Sequence, residues 1–136
     1  KEPKDGLEAK FSVYHGCAAG LLFGEAGEGE FDDALVASEA VVSVRRKVVA
    51  TVDPAIGEAE VRAVAVMKDG TRKTVHVEHA IGSMQRPLTD ADLERKFSSL
   101  AAPVLGQSVQ AQLMAAAWGL SAAADVRELV KLAVPA

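Results

Sequence analysis

The chain has 136 residues and a net charge of −4, from 15 Lys and Arg against 19 Asp and Glu, and its longest basic run is Arg45-Arg46-Lys47. That balance argues against a nucleic-acid partner, whose phosphates need a Lys/Arg-rich face. One cysteine, Cys17, excludes an intrachain disulfide and fits a reducing cytoplasm, and no run of about 18 apolar residues is present to span a membrane.

The length suffices for a domain with a real core. Hydrophobic residues make up 49% but aromatics only 4%, which points to tight Ala- and Val-rich helix packing. The opening KEPKDG carries no apolar signal region, so a soluble cytoplasmic protein is expected.

From Leu7 to Gly24 the chain concentrates its least common residue types. Ser12 is a helix-capping residue, Val13, Cys17 and Leu21 recur at i, i+4 and i+8, and Gly24 supplies a stop, so the spacing predicts a helix with Val13, Cys17 and Leu21 on its buried face, widened by Ala18, Ala19 and Leu22. Tyr14 and His15 fall in its first turn, where free N–H groups and the positive end of the dipole favour an anionic ligand. Ser12, Tyr14 and His15 are therefore candidate site residues. The alternative for His15 is a structural ring bonded to a neighbouring backbone carbonyl.

Glu25 to Glu30, EAGEGE, reads as a mobile acidic loop without the His or Asp spacing of a metal site. Phe31 to Leu35 starts a short amphipathic element. Ser38 is placed to cap a helix over Glu39–Arg45, whose basic end, Arg45 to Lys47, reads as solvated and complements the dipole. Lys47 to Asp53 is β-branched and ends at Pro54, so it predicts a strand.

Asp69-Gly70 between two alternating runs is a strong hairpin signal. Taken as a two-residue turn, it pairs Val66 with Lys73, Val64 with Val75 and Arg62 with Val77. Val64, Val66, Val75 and Val77 then share a buried face, leaving Ala63 and Ala65 on the wetter one. His76 and His79 lie on opposite faces, a poor metal pair, and no metal site is expected.

Gly82-Ser83 sits in a loop that can present backbone N–H groups to a carboxylate, or serve as a plain connection. Thr89-x-x-Asp92 reads as a capping box, followed by Leu93, Phe97, Leu100 and Val104 at helical spacing and a break near Pro103. A second helix opens at Ser108 and stops near Gly119. A third opens at Ser121, with Val126, Leu129, Val130 and Ala133 on one face. The fold class that follows is α+β: an antiparallel sheet of three or four strands, helices on one of its faces, and a helical C-terminal tail.

Three segments also resemble one family in the same order: EAKFSVYHGCAAGLLFG at Glu8 to Gly24, the Asp-Gly hairpin, and GSMQRPLTDADLERKF at Gly82 to Phe97. They are similar to the MmgE/PrpD family, which includes 2-methylcitrate dehydratase, cis-aconitate decarboxylase and iminodisuccinate epimerase. The resemblance covers nearly the whole chain but only the C-terminal part of the family's length. It implies a lid domain over residues 1–106 and a tail over 107–136 that packs on a missing N-terminal helical domain.

The resemblance further implies a cofactor-independent lyase or isomerase, most of whose catalytic groups lie upstream, and a homodimer. The substrate would be a small di- or tricarboxylic acid. Within the chain the catalytic candidates are His15 and Tyr14, and the substrate-binding ones are Ser12, Gly82 and Ser83. Several members carry at the position of His15 a Tyr that faces the substrate. The competing reading is a stand-alone α+β module that binds a small acid or a protein.

Overall fold

A computed structural model describes residues 1–134. The class is α+β: seven α-helices and one antiparallel pair of strands lie among those residues. They gather into two compact units, Lys1–Ala55 and Ile56–Ala136. The expected lid–tail boundary at 106/107 falls inside the second unit, and the last two residues of the expected tail lie outside the described residues.

In the first unit, α1 (Gly6–Lys10) starts at Asp5, whose carboxylate accepts from the Glu8 N–H at 2.8 Å. Gly6 is held tightly. Its N–H donates to Asp33 Oδ1 at 2.7 Å, and a Cβ there would lie 1.9 Å from the Phe31 carbonyl oxygen. Only glycine allows that approach of two backbones.

The next helix, α2 (Val13–Phe23), begins and ends where the residues predict. Ser12 Oγ accepts from the His15 N–H, and Gly24 closes the helix at φ 79°. The buried face matches the expected one only in part: Ala18 and Ala19 are inside as expected and His15 joins them, whereas Val13, Leu21 and Leu22 are exposed and Cys17 is half-buried. Apolar residues almost encircle this helix, so its own periodicity does not select a face. Packing against α4 (Glu39–Arg45) selects it.

Asp32 caps α3 (Asp33–Ala37), accepting from the Ala34 and Leu35 N–H groups. Ser38 precedes α4 as expected but does not cap it; its hydroxyl donates to the Leu35 carbonyl at 2.7 Å. Ala9, Ala18, Ala19, Val36 and Val41 form the fully buried apolar core. Each such Val contributes about 1.5–3 kcal/mol.

The structure departs from expectation in two further segments. The acidic loop is tied down: Lys10 Nζ bonds Glu28 at 2.9 Å, Glu30 Oε2 accepts from the Gly27 N–H at 2.7 Å, and Gly29–Phe31 closes into a 3-10 turn. Lys47 to Asp53 is not a strand, and Val49 and Val52 are 81% and 97% exposed. A β-branched run becomes a strand only beside a partner, and this unit holds none.

In the second unit, β1 (Val61–Val66) pairs antiparallel with β2 (Arg72–Val77), two strands instead of three or four. The register is one residue away from the expected one: Val66 faces Arg72, Val64 faces Thr74 and Ala63 faces Val75. The turn explains the slip. The Gly70 N–H donates to the Met67 carbonyl, the Met67 N–H donates to Thr71, and Gly70 has φ 83° while no non-glycine residue has positive φ.

A type I′ turn needs positive φ at both Asp69 and Gly70. The chain instead makes a type I turn over Lys68-Asp69 followed by a left-handed Gly70. The loop therefore has three residues, and the slip moves the valines apart. Val64 and Val66 lie on one face with Arg62, Thr74 and His76. Val61, Val75 and Val77 lie on the other with Ala63 and Ala65, which are half-buried.

The helix α5 (Asp90–Ala101) carries the full capping box of Thr89 and Asp92. It ends before Pro103, and α6 (Gln107–Trp118) follows from Gly106, packing on α5 through Leu113. Gln110 is buried and donates to the Leu105 carbonyl at 2.7 Å, bracing the bend. The expected third helix from Ser121 is shorter. A 3-10 turn covers Leu120–Ala122, and α7 (Arg127–Leu132) starts only after Asp125 accepts from the Arg127 N–H. That short-range bond competes with helix propagation through 123–126.

Candidate functional site

The candidates split between the units: Ser12, Tyr14 and His15 in the first, Gly82 and Ser83 in the second. The capped start of α2 brings the first three together. His15 is fully buried, and both ring nitrogens are engaged. Nε2 lies 2.8 Å from the Glu30 carbonyl oxygen, and Nδ1 lies 3.4 Å from Arg45 Nη1.

A carbonyl can only accept and a guanidinium can only donate, so both contacts assign the proton to Nε2 and the lone pair to Nδ1. The Phe31 ring packs against the imidazole at a centroid separation of 5.2 Å. His15 thereby ties α2 to the Gly29–Phe31 turn and to α4. In this conformation it presents neither nitrogen to solvent.

Arg45 is the residue that sequence reasoning missed. It is 3% exposed, and Nη1 also donates to the Val36 carbonyl at 3.0 Å. It does not belong to a solvated helix end; only Arg46 and Lys47 of that run are exposed. The signal was present. Arg45 lies four residues after Val41, on the same face of α4, and Val41 is fully buried.

Tyr14 and Ser12 line a cleft of about 280 Å³ with Glu2, Glu8, Phe11 and Val13. The Lys1 ammonium sits 5.2 Å above the Tyr14 ring. Ser12 Oγ is already used as the cap of α2, so what it offers the cleft is its remaining hydroxyl proton. Glu2 on the cleft wall pairs with Arg46 Nε at 3.0 Å; that bond, with the charges of Arg46 and Arg45, holds its carboxyl below the ordinary value.

The second group is less open. Gly82 adopts φ 92° and its N–H donates to the Arg86 carbonyl at 2.7 Å, while the Ser83 N–H donates to Ala80. Ser83 Oγ accepts from the Arg86 N–H. Both backbone donors expected to meet a carboxylate are thus spent inside the loop.

Outside these groups, His76 Nε2 bonds Glu60 at 3.1 Å, and this bond holds the Glu60 carboxyl below its usual range. His79 is exposed. No group of three or more His, Cys, Asp or Glu placed to hold a metal ion occurs among the described residues.

Residues 1–120 match the MmgE/PrpD C-terminal domain. The chain belongs to the MmgE/PrpD family. No curated protein matches the sequence. The match takes in the start of α2, the hairpin and both α5 and α6 of this MmgE/PrpD domain, and stops at Leu120, before α7. No helix among the described residues is long and apolar enough to cross a membrane.

Proposed function

We propose that this MmgE/PrpD domain is the C-terminal part of a cytoplasmic, homodimeric, cofactor-independent lyase or isomerase that removes a proton next to a carboxylate in a small di- or tricarboxylic acid. The family match over residues 1–120 is the observation that carries the reading. Such chemistry needs a base, a group that stabilises the developing enolate-like charge, and cations or N–H groups for the carboxylates. In this reading most of those groups come from an N-terminal helical domain, and the start of α2 is the domain's own contribution.

Tyr14 and Ser12 are the proposed direct contacts, because they line a cleft at a helix start whose dipole favours an anion. His15 stands directly behind them. Its access to substrate requires the Gly29–Phe31 turn to move off the ring, since Glu30 now accepts its only ring proton. Within the second unit, Gly82 and Ser83 are proposed to meet a carboxylate on their own, and only when the loop bond between Gly82 and Arg86 breaks.

The test is His15→Phe in the full-length parent, which keeps the ring bulk and deletes both polar edges. A proton-transfer role lowers turnover per folded molecule by a factor of about 10² or more. A role confined to the buried contacts with Glu30 and Arg45 lowers stability and leaves that turnover nearly unchanged, which would remove His15 from the site.

A second reading, a stand-alone module that binds a small acid or a protein, is favoured by the core of the first unit, where α1, α2, α3 and α4 bury Ala9, Ala18, Ala19, Val36 and Val41 among themselves. The length of the natural reading frame upstream of Lys1 separates the two. A long helical region there supports the enzyme.

A further inference from the structure

The guanidinium of Arg45 is only half used. Its hydrogen bonds, to the Val36 carbonyl at 3.0 Å and to His15 Nδ1 at 3.4 Å, both run through Nη1. Nε is buried and has no partner. Nε and Nη2 form the side of a guanidinium that matches a carboxylate with two parallel bonds. No carboxylate among the described residues lies within ion-pair distance of Arg45, although the residue is 3% exposed.

A buried cation is normally paired, because removing it from water without a counter-charge is costly. Here two neutral acceptors fix the orientation of the group through Nη1 and leave its buried Nε without an acceptor. We propose that Arg45 is a carboxylate receptor, its Nε–Nη2 edge completed by a carboxylate from outside these residues: that of a small di- or tricarboxylic acid, or that of an Asp or Glu side chain elsewhere in the whole protein.

The charge of the group is felt at the cleft wall. Glu2, a wall residue of the cleft at Tyr14, has its carboxyl lowered first by the Arg46 bond and also by the Arg45 charge. The inference stands on the geometry of Arg45 and does not require the lyase reading.

The experiment follows the Arg45 Nε–H resonance by ¹H–¹⁵N NMR while succinate, citrate and, as a control for ionic strength, chloride are added to the 136-residue chain. A saturable shift with the acids but not with chloride identifies a small-acid receptor. A resonance unmoved by acid in this chain, but already shifted in the whole protein without added acid, identifies a side-chain carboxylate as the partner.

Arg45→Gln keeps a donor for the Val36 carbonyl and deletes the charge and the fork. It should weaken the acid response at least about tenfold, as expected for the loss of a charge-assisted fork. Arg45→Lys keeps the charge alone and should fall in between. If the resonance moves neither with acid in the chain nor on going to the whole protein, the proposal is overturned. An acid response of equal strength in folded Arg45→Gln, followed through the Tyr14 amide, overturns it as well.

Discussion

Two glycines of the same short segment show how little the residue type alone says. Gly6 stands where any Cβ would meet the Phe31 carbonyl oxygen at 1.9 Å, whereas around Gly16, inside α2, there is nothing within 4 Å of an added Cβ. Gly6→Ala should therefore destabilise the first unit by about 1–3 kcal/mol, the usual cost of overpacking. Gly16→Ala should stabilise it by about 0.5–1 kcal/mol through helix propensity. Urea denaturation followed by circular dichroism checks both, and equal effects of the two changes would contradict the close approach at Gly6. Arg45 makes the same point for charge: two consecutive arginines have opposite fates, Arg46 in solvent beside Glu2 and Arg45 in the core beside His15.

Among the elements, the ends are held by local bonds, several of them ionic, and these make the pH response calculable in sign. Thr89, through its hydroxyl and then its backbone N–H, lowers the carboxyl of Asp92, and Glu60 is lowered by the His76 bond. Thr71 acts likewise on Asp69, through its backbone N–H first. A carboxyl whose folded value lies below its unfolded one contributes stability that is fully present above the unfolded value, about 4, and is lost as pH falls through the folded value. The α5 start and the hairpin should accordingly loosen as pH falls from about 5 to below 4. Amide exchange at Asp92 and Thr71 measured across that range checks it. Protection of both that persists unchanged to pH 2 would contradict the assignment.

For the molecule as a whole, two outcomes follow from the family assignment and from the surface. If most catalytic groups lie upstream, the purified chain shows no dehydratase, decarboxylase or epimerase turnover on citrate-like or aspartate-like acids; robust turnover would refute that placement. The surface bears on assembly. Trp118, Val126, Val130 and Val134 are each more than half exposed along the α6–α7 region, and large exposed apolar surfaces drive association. Light scattering should detect self-association as concentration rises toward the millimolar range, and a strictly monomeric chain throughout would count against an uncovered tail.

What could be read directly were the features that one or two neighbours decide. Ser12 and Gly24 bounded α2, Thr89 and Asp92 marked the start of α5, Pro103 ended it, and the ordered segments around Glu8 and Gly82 identified the family. These signals are local because a cap or a break satisfies backbone groups within one helical turn. Tertiary structure decided what depends on distant partners. It turned His15 inward and Val13 and Leu21 outward on a helix apolar nearly all round, and it drew Arg45 into the core through Val36 and His15. It also left Lys47 to Asp53 without the partner that a strand requires. The hairpin lies between these cases. Asp69-Gly70 announced the turn, but whether one or both residues take positive φ decides the loop length, and that single conformational choice set every side chain of the sheet on its face.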